Sequence, residues 1–308
     1  MELNQIIFKY FLWWNLSDYW LGVFFAILAG ISNNIGTILQ KKVVNRVSNE
    51  EKFMRSLIKN PLWLLGLIFQ MVIGVILFLL AQNYIGPTLI PGLMASGLIV
   101  LAIGSVYILK EHLGVTEIFG IGLMIIATCL IGLSNMDINV DLINFLDLGL
   151  IIRISIFTAI FLFLSIIFEI LQKKEKYPGI SAALISGLML ALSNFWISPL
   201  LGVIIQVLNN NALLIELVIF VIACIILIFT NIFALAKINQ SFKFGQASNM
   251  IIIQQFPILI SPPFYYLSVY LLIPPNILST PLMLFGTIFV IISTYLLAKR
   301  QAQIEKIK

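Results

Sequence analysis

Apolar runs of about 20 residues recur from one end of this sequence to the other. A helix needs about 20 consecutive apolar residues to cross the hydrocarbon core of a bilayer. Only 10% of the residues are charged and 61% are hydrophobic, whereas a soluble domain carries about 25% charged residues. A water-soluble core could not bury so much apolar surface, so the runs predict an all-α, polytopic membrane protein surrounded by the lipid bilayer.

About nine transmembrane helices can be drawn on these runs. Their bounds are about 20–40, 62–83, 86–108, 115–134, 148–171, 179–206, 212–236, 245–272 and 279–298. Pro257, Pro262 and Pro263 are expected to break or bend the eighth span, because proline removes a helical hydrogen bond. Residues 1–19 are rich in Trp and Tyr and predict a segment at the membrane interface before the first span.

Lysine and arginine are distributed very unevenly between the loops. Sixteen of the 18 lie after the odd-numbered spans, the C-terminal tail included, and only Lys9 and Arg153 fall on the other side. Cytoplasmic loops of membrane proteins carry an excess of these residues. The split predicts a multi-pass protein of the cell (plasma) membrane with its N-terminus outside and its C-terminus in the cytoplasm.

The first and sixth spans contain similar segments. Residues 26–34 read AILAGISNN and residues 187–195 read GLMLALSNF, which aligns Asn33 with Asn194. Small residues recur at every fourth position in both spans, over 22–30 and 183–191, a spacing that lets membrane helices approach closely. Gly122 of the fourth span is likewise expected to face Gly286 of the ninth. The alternative is that any two apolar helices look alike in their composition.

A duplicated four-span unit would give the chain a defined order of parts. A single helix between the copies makes the second copy enter the membrane from the opposite face, as in inverted-repeat transporters. The predicted parts are an interfacial segment (1–19), a first repeat (20–134), an outer loop with a linking helix (135–178), a second repeat (179–300) and a cytoplasmic tail (301–308).

Polar side chains inside the spans are costly in lipid and are therefore candidates for a substrate site. The first and sixth spans carry them at matching depth, and the eighth adds a row of amides. The candidates for substrate lining are Asn33, Asn34, Thr37, Ser193, Asn194, Ser198, Gln246 and Asn249. The alternative is that these groups hydrogen-bond to one another and only hold the helices together. Both interpretations stay open.

Ionisable residues in the spans are few. Glu216 lies about one turn inside the seventh span and is either an ion or proton ligand or an interfacial carboxylate that reaches water. Glu169 is expected to pair with Lys173 on a helix surface. Cys129 and Cys224 fit small buried apolar residues better than a disulfide or a metal pair. Without a recognisable catalytic motif we predict no enzyme, no cofactor and no nucleic-acid partner, and leave the ligands of any metal unknown.

Residues 87–132 carry the most distinctive pattern, PTLIPGLMASGLIVLAIGSVYILKEHLGVTEIFGIGLMIIATCLIG. The pattern begins with a proline-containing helix start, followed by a helix rich in small residues. A short aliphatic-x-Glu-x-Leu motif comes next, and a glycine-rich helix ends the pattern. With GVFFAILAGISNNIGTILQKK and LWLLGLIF upstream, this stretch resembles the drug/metabolite transporter superfamily, and within it the NIPA-type magnesium transporters and EamA-like transporters. Pro91, Glu111 and Gly122 are the landmarks of the family pattern. The predicted second repeat lacks the glutamate motif.

The resemblance implies a membrane transporter that moves a small solute by alternating access, with Mg²⁺ or another divalent cation as the best named substrate. NIPA-like proteins typically have an acidic residue in the second span, where this chain has Gln70. Since Mg²⁺ prefers carboxylate oxygens, a carrier of an organic metabolite or lipid-like solute and a non-transporting scaffold remain alternatives. The expected partners are the bilayer and a small molecule or ion, and a homodimer is left open.

Overall fold

The computed structural model describes residues 2–47, 53–85, 90–136, 143–175 and 177–307, and within them every regular element is helical. The all-α prediction is therefore confirmed. The helices are α1 (Glu2–Val47), α2 (Phe53–Lys59), α3 (Pro61–Ile68), a π-helical turn (Phe69–Ile73), α4 (Gly74–Ile85), α5 (Ile90–Met94), α6 (Gly97–Tyr107), α7 (Val115–Leu133), α8 (Leu148–Lys173), α9 (Pro178–Leu208), α10 (Leu214–Ser241), α11 (Ala247–Ser268) and α12 (Ser279–Ile307).

Eight helical segments of the described chain are long and apolar enough to cross a bilayer. They are Trp20–Val47, Pro61–Gln82, Val115–Leu133, Leu148–Lys173, Pro178–Leu208, Leu214–Ser241, Ala247–Ser268 and Ser279–Gln303. Their outer faces expose large apolar side chains, as lipid contact requires. The polytopic membrane fold is confirmed. α1 continues the first span back to Glu2, and the interfacial location of residues 1–19 stays a prediction.

The predicted third span, 86–108, is not one long helix, so the expected number of nine is approximate. A turn separates α5 from α6, and there Ser96 Oγ donates to the Leu93 carbonyl oxygen at 2.6 Å. A serine bonded to a nearby backbone carbonyl competes with continuous helix formation. The break brings the backbone of Met94 against Gly30 of α1.

The three prolines of the eighth span do not break it, because α11 runs as one helix from Ala247 to Ser268. Membrane helices tolerate proline where neighbouring helices shield the freed backbone groups. α9 provides such a neighbour, since a Cβ on Gly187 would lie 2.9 Å from the Pro257 ring. Glycine at this position lets the two helices approach closely.

Each half of the chain is arranged around one central helix. In the first half α1 packs against α4 and α6, and in the second half α9 packs against α10 and α11. α8 packs on α9, while α7 and α12 pack along each other and join the halves. The Ser293 hydroxyl donates to the Gly120 carbonyl oxygen at 2.7 Å in that contact.

Two glycine pairs bring the backbone of α1 into direct contact with its neighbours. A Cβ on Gly97 would overlap the Gly30 carbonyl oxygen, and one on Gly66 would lie 2.7 Å from the Gly36 carbonyl oxygen. Lipid offers no hydrophobic drive for helix association, so close backbone packing through small residues takes its place. These contacts fix α1 between α3 and α6.

The contact between α7 and α12 depends on Gly120 and Gly286 rather than on Gly122. A Cβ on Gly120 would lie 2.9 Å from Leu297 Cγ, and one on Gly286 would lie 3.0 Å from the Ala127 carbonyl oxygen. A Cβ on Gly122 would meet no described heavy atom within 4 Å. The prediction that Gly122 faces Gly286 is wrong, because Gly122 lies on a different face of α7.

Segments expected on one side of the membrane lie together in the structure. Gln246 Nε2 donates to the His112 carbonyl oxygen at 2.9 Å, and Gln301 Nε2 donates to the Phe244 carbonyl oxygen at 3.3 Å. We call this end of the bundle the basic face; the described residues there are 41–47, 53–60, 110–114, 173–175, 177–178, 242–246 and 299–305. That it is the cytoplasmic face stays a prediction.

Candidate functional site

A cavity of about 420 Å³ lies between the two halves of the bundle. Helices from both halves form its wall, including the central helices α1 and α9. Its polar lining residues are Asn33, Asn34, Thr37, Gln70, Thr128, Asn194, Gln254 and Gln255. The rest of the lining is glycine, alanine and larger apolar residues, and the described residues contribute no charged side chain to it. The cavity therefore offers amides and hydroxyls in an uncharged setting.

Asn33 and Asn194, the two residues that align between the first and sixth spans, both line this cavity. Neither side-chain amide hydrogen-bonds to another described residue, and Asn194 is exposed. A free amide presents both donors and an acceptor. The two amides are not bonded to each other, so they do not cross-link the halves.

Asn34 and Thr37 are buried on the α1 side of the cavity. Asn34 Nδ2 donates to the Gly30 carbonyl oxygen at 2.9 Å, and Thr37 Oγ1 donates to the Asn33 carbonyl oxygen at 3.1 Å. Each donor is thus satisfied within the helix. The Asn34 amide oxygen and the Thr37 hydroxyl oxygen remain as acceptors on the cavity wall.

The other four predicted lining residues lie outside the cavity lining. Ser193 Oγ accepts a hydrogen bond from Asn231 Nδ2 at 2.7 Å and so joins α9 to α10. Gln246 and Asn249 lie at the basic face, where Asn249 Nδ2 donates to Gln246 Oε1 at 3.1 Å. Ser198 is half-buried on α9 and does not reach the cavity.

Glu216 caps the N-terminus of α10. Its Oε2 accepts a hydrogen bond from the Leu213 backbone N–H at 2.7 Å, and the side chain is buried. A carboxylate at this position satisfies a backbone donor that the helix itself leaves unpaired. Within the ranges the structure describes, no group of three or more His, Cys, Asp and Glu residues could hold a metal ion. A role for Glu216 as ion or proton ligand stays a prediction.

Gln70 lies in a π-helical turn of the second span and lines the cavity. The turn, Phe69–Ile73, widens the helix, and the Phe69 carbonyl oxygen accepts a hydrogen bond from Ser32 Oγ at 2.7 Å. Such turns occur frequently at functional sites. Gln70 is not among the predicted lining residues, although it occupies the position where the family resemblance places an acidic residue.

Gln254 and Gln255 supply the lining from α11. Gln254 Nε2 donates to Ser186 Oγ at 2.7 Å, and that hydroxyl donates to the Ala234 carbonyl oxygen at the same distance. The Gln255 amide has no hydrogen bond to a described residue. The signal that could have identified them is depth, since Gln246 precedes α11 and Gln254 lies about 12 Å further along the helix.

A chain of side-chain hydrogen bonds runs from the cavity toward the basic face. Gln40 Nε2 donates to Gln70 Oε1 at 2.8 Å, and Asn239 Nδ2 donates to Gln40 Oε1 at 3.4 Å. Trp63 Nε1 in turn donates to Asn239 Oδ1 at 3.0 Å. Since Asn239 belongs to α10 and the others to the first half, this chain joins the halves on the basic side of the cavity.

Lys41 and Glu111 hold the turn between α10 and α11. Lys41 Nζ donates to the carbonyl oxygens of Phe242 and Gly245, the latter at 2.5 Å. Glu111 Oε1 accepts a hydrogen bond from the Ala247 backbone N–H at 2.8 Å. A cation at the end of one helix and an anion at the start of the next also match the two helix dipoles. We call these contacts, made by two first-half side chains to the second half, the basic-face clamp.

Two further ion pairs lie at the basic face. Arg300 Nε contacts Glu117 Oε1 at 2.9 Å, which joins the ends of α12 and α7. Glu169 pairs with Lys237 of α10. The predicted pair between Glu169 and Lys173 is wrong, because the carboxylate pairs instead with the buried ammonium group of Lys237 across the interhelical contact.

We expect the Glu111 carboxyl group to make the stability of the folded protein depend on pH. Burial raises its pKa above the usual value of 4.5, and the nearby Lys41 charge offsets this only in part. A group whose pKa is higher in the folded state stabilises the protein fully below its unfolded pKa, and this stability is lost as pH rises through the folded pKa. Wild-type protein is therefore expected to lose a component of its thermal stability as pH is raised above 4.5.

Glu111→Gln is expected to lack that component, because glutamine does not titrate. Unfolding temperatures measured across the same pH series would show it. Glu175→Gln removes an exposed carboxylate at the basic face and is the matched control, with a wild-type profile expected. Parallel profiles for Glu111→Gln and the wild type would contradict the prediction.

The fold and the cavity define the class: an all-α polytopic membrane protein with an uncharged polar cavity between its two halves. Over 132 residues the chain is 28% identical to the "Probable magnesium transporter NIPA9" of Arabidopsis thaliana. The similarity covers 42% of this chain and 38% of the plant protein, so the chain matches well under half of that curated relative. No family model matches the chain. No solved structure matches it.

Proposed function

We propose that the chain is a membrane transporter that carries a small solute through the cavity between its halves. The proposal rests on one observation. Asn33 and Asn194 lie on two helices of similar sequence, and both line the same cavity. Their amides are free to bind a solute or its water shell, whereas a scaffold that used them as interhelical cross-links would have them bonded to each other. The similarity to a probable transporter supports the same conclusion.

The mechanism we propose is alternating access between two inverted repeats. The arrangement of α1 with α4 and α6 parallels that of α9 with α10 and α11. Transporters of this kind bind their substrate where the two repeats meet and expose the site by moving one repeat against the other. In such a cycle the basic-face clamp and the hydrogen-bond chain through Gln40 close the basic side, and their release opens it.

Mg²⁺ is the first substrate to test, because the curated relative carries that name. Mg²⁺ gives up its water reluctantly and is commonly bound with several waters in place. Six waters occupy about 180 Å³ at about 30 Å³ each, and the cavity holds about 420 Å³. Amide oxygens of Asn33, Asn194 and Gln255 could accept hydrogen bonds from such a water shell.

The absence of charge in the described lining favours a second substrate class, a neutral or zwitterionic organic solute. A dication in a low-dielectric site needs compensating carboxylates, because desolvation of an unpaired charge is costly. The described lining instead combines amides with apolar side chains such as Met71, Phe78 and Met94. This combination suits a small molecule with a polar and an apolar part.

Reconstitution into liposomes tests the proposal. Uptake of Mg²⁺, followed with an entrapped indicator, is compared with uptake of labelled small organic solutes, and flux of at least one above that of empty liposomes is expected. Asn33→Leu and Asn194→Leu are each expected to lower that flux about tenfold, since a lost hydrogen bond to a buried group costs about 1–3 kcal/mol. If no solute enters faster than into empty liposomes, the transporter proposal is contradicted.

Ser198→Ala is the control for these variants, because Ser198 lies one turn from Asn194 on α9 but outside the cavity lining. It is expected to keep wild-type flux. Flux that is unchanged in both asparagine variants, in protein that does transport, would remove this cavity from the pathway.

A further inference from the structure

A second pocket, of about 480 Å³, opens at the basic face. It lies between α2, the end of α8 and the end of α10. Its lining residues are Phe53, Met54, Arg55, Gln172, Gln240, Lys243 and Phe244. It shares no lining residue with the central cavity, and the described lining includes no acidic side chain.

Lys237 fixes the orientation of the two amides in this pocket. Lys237 Nζ donates to Gln172 Oε1 at 2.8 Å, and Gln172 Nε2 donates to Gln240 Oε1 at 3.4 Å. An ammonium group has no acceptor, so Gln172 must present its oxygen to Lys237 and its NH₂ group to Gln240. Gln240 is thereby left with its NH₂ group as a donor that has no partner among the described residues.

Two positive charges accompany that donor. Arg55 is exposed and forms no ion pair with any described residue. Lys243 Nζ lies 3.7 Å from the centre of the Phe53 ring, which holds the ammonium at the pocket. Burial lowers the pKa of Lys243, and a bound anion would favour its charged form. The described pocket therefore presents donors and positive charge to its ligand.

The position of the pocket along the helices matches the depth at which lipid headgroups are expected. α8 ends at Lys173 and α10 ends at Ser241, so the pocket sits at the ends of two membrane spans. Below it, α8 exposes Ile166 and Ile170 by 57% and 48%, as a lipid-facing surface does. Basic pockets between membrane helices at the cytoplasmic side bind anionic lipid headgroups.

We propose that Arg55, Lys243 and Gln240 bind a phosphate group, carried by an anionic lipid headgroup or by a soluble phosphate. Arginine and lysine provide charge-assisted hydrogen bonds to phosphate oxygens, and the glutamine adds a neutral donor. Phe53, Met54 and Phe244 provide an apolar wall for the part of the ligand next to the phosphate. This site is separate from the solute cavity and does not depend on the transport proposal.

The test uses the full-length protein in nanodiscs of phosphatidylcholine with and without phosphatidylglycerol, with retained lipid measured by native mass spectrometry. Wild-type protein is expected to retain phosphatidylglycerol preferentially. The double variant Arg55→Gln, Lys243→Gln is expected to retain about 25-fold less, because each basic residue near the surface contributes about fivefold. Gln240→Leu keeps both charges and is expected to weaken retention through loss of the neutral donor alone.

Lys59→Gln is the matched control, because Lys59 is an exposed cation on the same helix as Arg55 but outside the pocket lining. It is expected to retain lipid as the wild type does. A second arm titrates lipid-depleted protein with inorganic phosphate and with glycerol 3-phosphate.

Each outcome of the two arms decides the proposal or its ligand. Retention of phosphatidylglycerol without binding of soluble phosphate assigns the site to a lipid headgroup. Binding of soluble phosphate that is lost in the Arg55 and Lys243 double variant assigns it to a soluble ligand. The proposal is overturned if neither phosphate source binds. The single variant Arg55→Gln is compared with Lys59→Gln. The proposal is also overturned if both weaken binding equally, because binding would then reflect the total charge of the basic face.

Discussion

Gly97→Val is expected to leave no stably folded protein. A Cβ on Gly97 would overlap the Gly30 carbonyl oxygen and lie 2.6 Å from the Asn34 side-chain nitrogen. Both are held by α1, which is itself fixed on its other side by the contact between Gly36 and Gly66, so α1 has no room to move away. Overpacking of a filled interior costs about 1–3 kcal/mol and more where backbone must shift, which is a large part of a typical stability.

Gly122→Val is the matched control for this prediction. It makes the same change in another apolar helix, at a position where a Cβ meets no described atom within 4 Å. Yield of monodisperse protein in mild detergent and the thermal unfolding temperature measure the outcome. Gly97→Val is expected to aggregate or fail to accumulate while Gly122→Val behaves as the wild type. Equal behaviour of the two variants would show that the close contact of α1 with α6 is not needed for folding.

Lys41→Met is expected to lower the free energy of unfolding by about 3–5 kcal/mol, the usual cost of removing one member of a buried charged set. Lys41 is only 4% exposed and donates to two backbone carbonyl groups of the turn between α10 and α11. Without it those carbonyls lose their donor and the buried Glu111 carboxylate loses its nearby positive charge. Unfolding midpoints in detergent, compared with the wild type, provide the measurement.

Lys42→Met is the control, because Lys42 is the adjacent residue and is half-buried rather than enclosed. It is expected to shift the midpoint little. Adding Glu111→Gln to Lys41→Met is expected to restore part of the lost stability, since no uncompensated carboxylate then remains; a double-mutant cycle isolates this coupling. Equal midpoints for Lys41→Met and Lys42→Met would contradict a stabilising clamp.

Most membrane spans could be predicted because their signal is local. Lipid requires a minimum apolar length, and runs such as 115–134 and 148–171 reach it without reference to the rest of the chain. The break within 86–108 could not be predicted in the same way. The break places the backbone of Met94 against Gly30, a contact with a distant helix that no local pattern contains.

The site could be predicted in part for a similar reason. Asn33 and Asn194 stand out by their depth and by the similarity of the segments around them, and both line the cavity. Gln246 and Asn249 share an amide-rich stretch with Gln254, but they lie at the start of α11, at the basic face and away from the cavity. The polar pattern alone does not separate these depths.

The basic-face clamp could not be predicted from local sequence, because its contacts join residues that are far apart in the chain. In the sequence Lys41 is one of the 16 basic residues that fall on one side, and Glu111 is a landmark of the family pattern. In the folded chain the buried Lys41 ammonium donates to a backbone carbonyl 201 residues away. A buried charge near the end of a helix is identified only by its tertiary partners.

The cavity, the clamp and the hydrogen-bond chain together support one conformational state. The contacts through Gln40, Lys41 and Glu111 join the halves between the cavity and the basic face. In the proposed cycle this state keeps the cavity closed toward the basic face, and opening requires these polar contacts to separate. Variants of the clamp are therefore of interest for transport as well as for stability.

Thiol labelling is the most direct test of whether Asn194 faces a solute cavity. In protein with Cys129 and Cys224 replaced by alanine, Asn194→Cys and Ser193→Cys are treated with a small, membrane-impermeant thiol reagent. Ser193 is the neighbouring residue, buried and hydrogen-bonded to Asn231, so it serves as the control. The cysteine at position 194 is expected to react, and more slowly when transported solute is present, while that at position 193 stays unmodified. Equal labelling of both positions, or no labelling at position 194, would contradict a solute cavity at this site.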